Sequence, residues 1–341
     1  MSRIMLIIFL VLCSLSSLIT SSNGSGTKQL RFNPENGKFR ILQVTDMNFA
    51  DGWMTPCEDV LPNQFAHCSD HMTSEFIYRL IEAEKPDLIV FTGYNIYGPD
   101  ATDAVKSLNA AFSPAINSKI PWAAVLGNHD QESTLSRKNV MKHIVGMENT
   151  LSQLNPSGFD DIDGYGNYNL EVYGAEGSSY VNDSILNLYF LDSGDYSTLP
   201  SAIPGYGWIK PSQQRISSAY VNSGFFTRLV EQFDVKAVFT GHDHLNDFCG
   251  ELAGINLCYG GGSGYHGYGK AGWSRRARMV EVSLRKLLNG EWGSVKSIKT
   301  WKRLDDENLT PIDGKLLWTY QPDKDCIRKG FGYYSLVSQF F

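Results

Sequence analysis

Charge is scarce in this sequence. Only 19% of its 341 residues are Asp, Glu, Lys or Arg, against 42% hydrophobic and 12% aromatic. A disordered chain shows the opposite balance, so that class is excluded. A basic excess is also missing, with 30 Lys and Arg facing 36 Asp and Glu, which argues against nucleic acid as a partner. No fixed-period repeat is visible, which excludes a solenoid or a propeller. The apolar run from Ile4 to Leu12 falls far short of the ~20 residues that span a bilayer, and no later segment reads as a membrane span. Histidine is rare too, with seven in the chain, so where each one sits carries information.

The start of the chain has its own character. Arg3, the short apolar run and the small-residue stretch to Ser22 read as a secretory signal over residues 1–22. Export implies an oxidising compartment. Cys13 leaves with the signal, and Cys57 with Cys68 and Cys249 with Cys258 form the simplest pairing, leaving Cys326 single. The sequence does not fix that connectivity. Asn23, Asn182 and Asn308 open N-x-S/T triplets, the acceptor pattern for glycosylation.

The periodicity predicts alternating strands and helices in the first half: strands at 39–45, 87–92 and 122–126, with helices at 72–84, 102–116 and 137–145. The second half turns strand-rich, at 168–173, 185–191, 235–240, 255–259, 277–284 and 295–301, with a helix at 223–232. The expectation is one mixed α/β domain over 38–303, with helices outside two sheets, followed by an irregular tail over 304–341.

Four polar clusters lie just past predicted strand ends. They are Asp46-Met47-Asn48, Gly93-Tyr94-Asn95, Gly127-Asn128-His129-Asp130 and Gly241-His242-Asp243-His244. This edge of an α/β sheet is where sites form, and a glycine there lets the backbone turn sharply. Two imidazoles one residue apart, a carboxylate and an amide carbonyl suit a Zn, Mn or Fe ion.

At these residues the chain resembles the calcineurin-like metallophosphoesterases, whose motifs D-x-H, G-D-x-x, G-N-H-D/E and G-H-x-H occur in this order. The stretches V-L-G-N-H-D-Q-E-S, F-T-G-H-D-H-L-N-D-F-C-G and Y-G-K-A-G-W-S-R-R-A-R are similar to single-domain plant purple acid phosphatases. The resemblance implies a four-layer α/β/β/α sandwich and hydrolysis of a phosphate monoester by a hydroxide on two metals, Fe with Zn or Mn. Carried over by position, Asp46 and His244 hold the first metal and Asn128 and His242 the second. His129 stabilises charge or protonates the leaving oxygen. Asp130 either orients His129 or caps the turn. Together with the signal, the resemblance implies an extracellular, cell-wall or vacuolar protein.

Three departures break the pattern. D-x-H is D-x-N, with Asn48 supplying a weaker, neutral ligand. The bridging aspartate of G-D-x-x is Tyr94. Tyr97 stands where the purple enzymes carry a ferric-ligating tyrosine, and it is open between that role and an aromatic packed on the sheet edge. No histidine occurs between Gly194 and Gly241, where the family has one more ligand, and the junction near Gln214–Arg215 reads as an internal deletion. The expectation is therefore an impaired or inactive relative, the alternative being a non-catalytic protein that binds phosphate or a metal. The lost strand should leave a gap or a new edge in the sheet. His266 is open between lining the cleft and bonding backbone. Arg275, Arg276 and Arg278 are open between reaching a phosphate and forming a solvated face.

Overall fold

The apolar stretches K-F-R-I-L-Q-V, L-I-V-F-T and W-A-A-V form β1 (Lys38–Val44), β2 (Leu88–Thr92) and β3 (Trp122–Val125). They are parallel neighbours, and the continuous apolar runs of β2 and β3 fit strands buried on both faces. The computed structural model describes residues 29–158, 163–192, 194, 225–321 and 334–339. Between these strands run α1 (Asp70–Glu84) and α2 (Ala104–Ser118), followed by α3 (Arg137–Val145). Each begins on a capping residue type. The Asp103 carboxylate, for example, accepts the backbone N–H groups of Val105 and Lys106 at the head of α2.

Strands β4 (Tyr168–Tyr173) and β5 (Ser184–Leu191) form an antiparallel pair. After them come α4 (Phe225–Gln232), β6 (Val235–Thr240), β7 (Cys249–Leu252), β8 (Ile255–Tyr259), β9 (Arg276–Lys286) and β10 (Trp292–Leu304). Two further strands, β11 (Pro311–Thr319) and β12 (Tyr334–Gln339), complete the set. They correct the expectation of an irregular tail beyond residue 304. One sheet has the order β11-β10-β9-β1-β2-β3 and the other β4-β5-β12-β6-β8-β7. The two sheets share a continuous apolar core, with helices outside, giving the expected α/β/β/α sandwich. At one place in this core Phe112 stacks on Trp122 at 4.6 Å while Phe91 meets both edge-on.

The second sheet has no gap between β5 and β6. Strand β12 lies between them, parallel to both, so the expected new edge is covered. The Gln214–Arg215 junction and Asn23 lie outside the described residues.

Cys57 is joined to Cys68, and Cys249 to Cys258. The second pair spans directly opposite positions of β7 and β8. Cys326 is outside the described residues. Asn182 and Asn308 are exposed and sit in turns. No helix among the described residues is long and apolar enough to cross a membrane.

Candidate functional site

Because β1, β2, β3 and β6 each run into one of the four polar clusters, the clusters meet at one edge of the sandwich. The backbone ties them together. Asp46 N donates to Gly93 O at 3.2 Å, Asn48 N to Tyr94 O at 2.9 Å and Gly98 N to His129 O at 3.2 Å. Across the two sheets, His242 N donates to Asp46 Oδ1 at 2.8 Å. A fifth loop, 260–268, closes over the cluster through Gly264 N and Asp46 O at 2.9 Å. Glycine is required at two of these crossings. A Cβ on Gly241 would stand 1.9 Å from Thr45 Oγ1, and one on Gly264 would stand 2.0 Å from Met47 O.

Four site residues hold left-handed backbone: Asp46 (φ 53°), Asn48 (φ 54°), Tyr94 (φ 49°) and His242 (φ 83°). Such residues cost about 1–3 kcal/mol each and persist where the surroundings over-determine them. For tyrosine, a bulky aromatic residue, the conformation is the most unusual of the four.

Tyr94 occupies the centre. Its ring is buried and lies 4.9 Å from the His129 ring, 5.6 Å from His242 and 5.7 Å from His244, centroid to centroid. Tyr97 stands further out, edge-on to His129 at 5.0 Å and His266 at 5.4 Å, as an aromatic packed at the sheet edge.

The electrostatics follow from burial. Desolvation pushes the Asp46 carboxyl up to about 7, although it accepts from His242 N and Thr45 Oγ1. Desolvation lowers His242 and takes His244 down to about 4, so both imidazoles favour the neutral form. His244 Nδ1 faces the Tyr268 carbonyl at 2.8 Å and therefore donates, leaving Nε2 as the lone-pair nitrogen. That Nε2, Asn48 Oδ1 and Asn128 Oδ1 are buried without a hydrogen-bond partner.

Asp130 does not orient His129. Its buried carboxylate accepts from Gly127 N, Ile96 N and Asn95 Nδ2, which pins the loop from beneath. His129 Nδ1 instead meets the carboxylate of Glu132. Burial raises Asp130 from 3.8 to about 6. A folded-state value above the unfolded one gives stability that is complete below 3.8 and is lost as pH rises through about 6. The full difference is about 3 kcal/mol. In urea unfolding at pH 4 and pH 7, the native chain should lose up to that much relative to Asp130→Asn. Parallel pH profiles for the two would contradict the assignment.

His266 is buried, with Nδ1 facing Pro56 O at 2.8 Å and Nε2 facing Asp100 at 3.0 Å. It fastens the loop carrying Pro56 to the loop carrying Asp100. The basic run is also buried. Arg276 binds Asp247, Arg278 donates to Tyr259 O and Arg275 donates to Glu58 O, so the solvated-face expectation fails. Sequence reasoning missed Glu132 and Tyr268. The latter stacks on His244 at 4.1 Å and accepts from its backbone N–H. The Gly-Tyr run 264–268, in the loop after β8, is the available signal.

These residues do not fit a dinuclear metal centre. The Tyr94 ring, at the position the resemblance gives to a bridging carboxylate, packs against three imidazoles. Among the described residues, no group of three or more His, Cys, Asp or Glu could hold a metal ion.

The family model for calcineurin-like phosphoesterase matches residues 39–246. A probable inactive purple acid phosphatase 29 of Arabidopsis thaliana is 54% identical, covering 88% of this chain and 91% of that protein. That match runs over 355 positions, more than the 341 residues of this chain, so the relative carries residues within the matched region that this chain lacks. The probable inactive purple acid phosphatase 14 of the same plant is 46% identical over 93% of each chain. The crystal structure of a dimetal phosphatase from Danio rerio shares the fold, with a TM-score of 0.52 at 14% identity, covering 83% of this chain and 99% of that one.

Proposed function

The chain belongs to the calcineurin-like phosphoesterase family, and we propose that within it this chain is a catalytically silent relative of the purple acid phosphatases. The observation that carries this reading is the Tyr94 ring wedged among His129, His242 and His244. A phenol there lacks the charge of a bridging carboxylate and, being longer, carries its oxygen to a different place, while its ring takes the space between the imidazoles. Asn48 in place of histidine, and the absence of histidine from 194 to 241, support the same reading. The names of the Arabidopsis relatives agree with it.

Losing one supporting partner of a metal typically costs about 10–100-fold in affinity or activity. Three lost ligands therefore cost at least about 1000-fold even at the lower bound. Elemental analysis with an aryl phosphate assay at acid pH tests this. The expected result is less than one tightly bound metal per chain and turnover near background. Two metals per chain with ready turnover would sink the reading.

A second reading rests on a separate observation. His244 Nε2, Asn48 Oδ1 and Asn128 Oδ1 are buried acceptors without partners. Acceptors favour a cation over a phosphate anion, which would need donors. One metal per chain with no turnover would select this single-ion version. Export completes the proposal. The apolar run behind Arg3, the two disulfides and the exposed turns at Asn182 and Asn308 support a glycosylated protein of the secretory pathway, in the cell wall, vacuole or extracellular space.

A further inference from the structure

Strands β7 and β11 are edge strands, one from each sheet. A cavity of about 400 Å³ reaches from one to the other, and none of its lining residues belongs to the cleft cluster. Its floor is cationic. Arg278 of β9 and Lys302 of β10 line it, and both are buried. Lys302 has two carboxylates. Asp247 Oδ2 takes it at 2.6 Å, together with buried Arg276 at 2.6 Å, and the largely exposed Asp313 takes it at 2.5 Å. Arg278 has none among the described residues. Its Nε and Nη2 donate to Tyr259 O, Nη2 also to Asp247 O and Nη1 to Thr300 Oγ1, all neutral acceptors. One of the two N–H groups on Nη1 is left over. Buried charges are ordinarily paired, and desolvation pushes this guanidinium down to about 10. At the rim, the exposed Lys315 of β11 reaches across to Cys249 O at 2.9 Å, and Phe248 is more than half exposed. Around the cavity Arg278, Lys302 and Lys315 face Asp247 and Asp313. The lining therefore carries one excess positive charge, in a chain whose net charge is −6.

We propose that this cavity binds a small organic monoanion, a carboxylate carried on an apolar body. Three features select that class. The charge balance is one, so a monoanion neutralises it, whereas a dianion meets Asp247 and Asp313 with no cation to match its second charge. The spare N–H groups are on Arg278 and Lys315, and a carboxylate accepts from guanidinium and ammonium donors at once. The Phe248 ring and the stem of Lys315 give the body of the ligand an apolar wall at the rim. The volume lies in the ordinary range for small-molecule sites, about 300–1,000 Å³. A neutral or cationic ligand leaves the Arg278 charge as it is and gains no charge-assisted bond. The cavity shares no residue with the cleft, so the inference holds whether or not the cleft turns over substrate.

Benzoate is the probe, titrated calorimetrically into the full chain. It should bind saturably at one per chain, with benzamide, its neutral counterpart, about ten-fold or more weaker. Lys315→Glu changes an exposed side chain and turns the balance to one negative charge. It should weaken benzoate by about ten-fold or more while leaving the thermal midpoint of the free protein nearly unchanged. Phe248→Ala, on the same rim, should weaken it by about three-fold or more, and it decides the location should Lys315→Glu fail to fold. Inorganic phosphate, as the dianion, should bind more weakly than benzoate. Absence of saturable benzoate binding would overturn the proposal, and so would benzamide binding equally well. Benzoate binding untouched by the rim variants would place the anion elsewhere, the cleft included, and would also overturn it. Phosphate binding more tightly than benzoate would overturn the monoanion class.

Discussion

Replacing Arg137 with methionine should destabilise the chain by about 3–5 kcal/mol, the usual cost of stripping a buried charge of its partner. Arg137 on α3 and Asp192 after β5 are both fully buried. The guanidinium grips the carboxylate through two nitrogens, with Nε to Oδ2 at 3.0 Å. It also donates to Gly127 O at 2.6 Å and to Leu126 O at 3.3 Å. One side chain thereby joins the second sheet to the turn that carries Asn128 and His129. In Arg137→Met the Asp192 carboxylate keeps its backbone donors, including Tyr165 N at 2.6 Å, but loses the cation. Denaturant unfolding of Arg137→Met, Asp192→Leu and the double variant measures the effect. Each single change should be costly, and the double variant should recover most of the loss, because a buried ion pair replaced by apolar groups is often near neutral. Additive losses would show that the pair acts through packing alone.

The second large effect concerns the metal site. Tyr94→Asp combined with Asn48→His should raise the affinity for Zn or Mn by about 100-fold or more, taking about ten-fold per restored ligand as the lower bound. The carboxylate removes the ring from among the three imidazoles and adds a negative charge there. The new imidazole stands beside His244, since Asn48 and His244 border the same Gly267. Calorimetric titration with each metal reads the change directly. Hydrolysis should stay far below that of a complete enzyme, because the histidine lacking between 194 and 241 is not replaced. No gain in metal affinity would mean that something other than Tyr94 keeps the centre from forming.

Much of this architecture is readable from local pattern. β1 alternates and β2 and β3 are continuous apolar runs, all leading into a glycine or an acid, and their boundaries shift by at most a residue or two between pattern and fold. The last two strands are not readable this way. β11 opens on Pro311, contains Gly314 and exposes most of its residues, as an edge strand does. β12 buries Leu336 and Val337, and it lies in a slot between two other strands. The basic run misleads for a related reason. Charge suggests solvent, but β9 has β1 on one side and β10 on the other, so its arginines find carbonyls and Asp247 in the interior. In the site, the glycine turns identify which side chains converge. Which of them reaches the middle depends on backbone angles, and the left-handed Tyr94 could not be anticipated from its neighbours in sequence.

The bridge between Cys57 and Cys68 bears on how this protein can be made. The loop it closes supplies Glu58 O to Arg275, and Pro56 O, one residue before the bridge, faces His266, so two buried side chains rely on a staple eleven residues long in sequence. A bridge closing a loop of this size contributes about 2–4 kcal/mol. A host whose cytosol keeps thiols reduced would withhold that contribution, and the chain produced there would carry an untied lobe beside its own cleft. An oxidising environment during folding would restore that contribution.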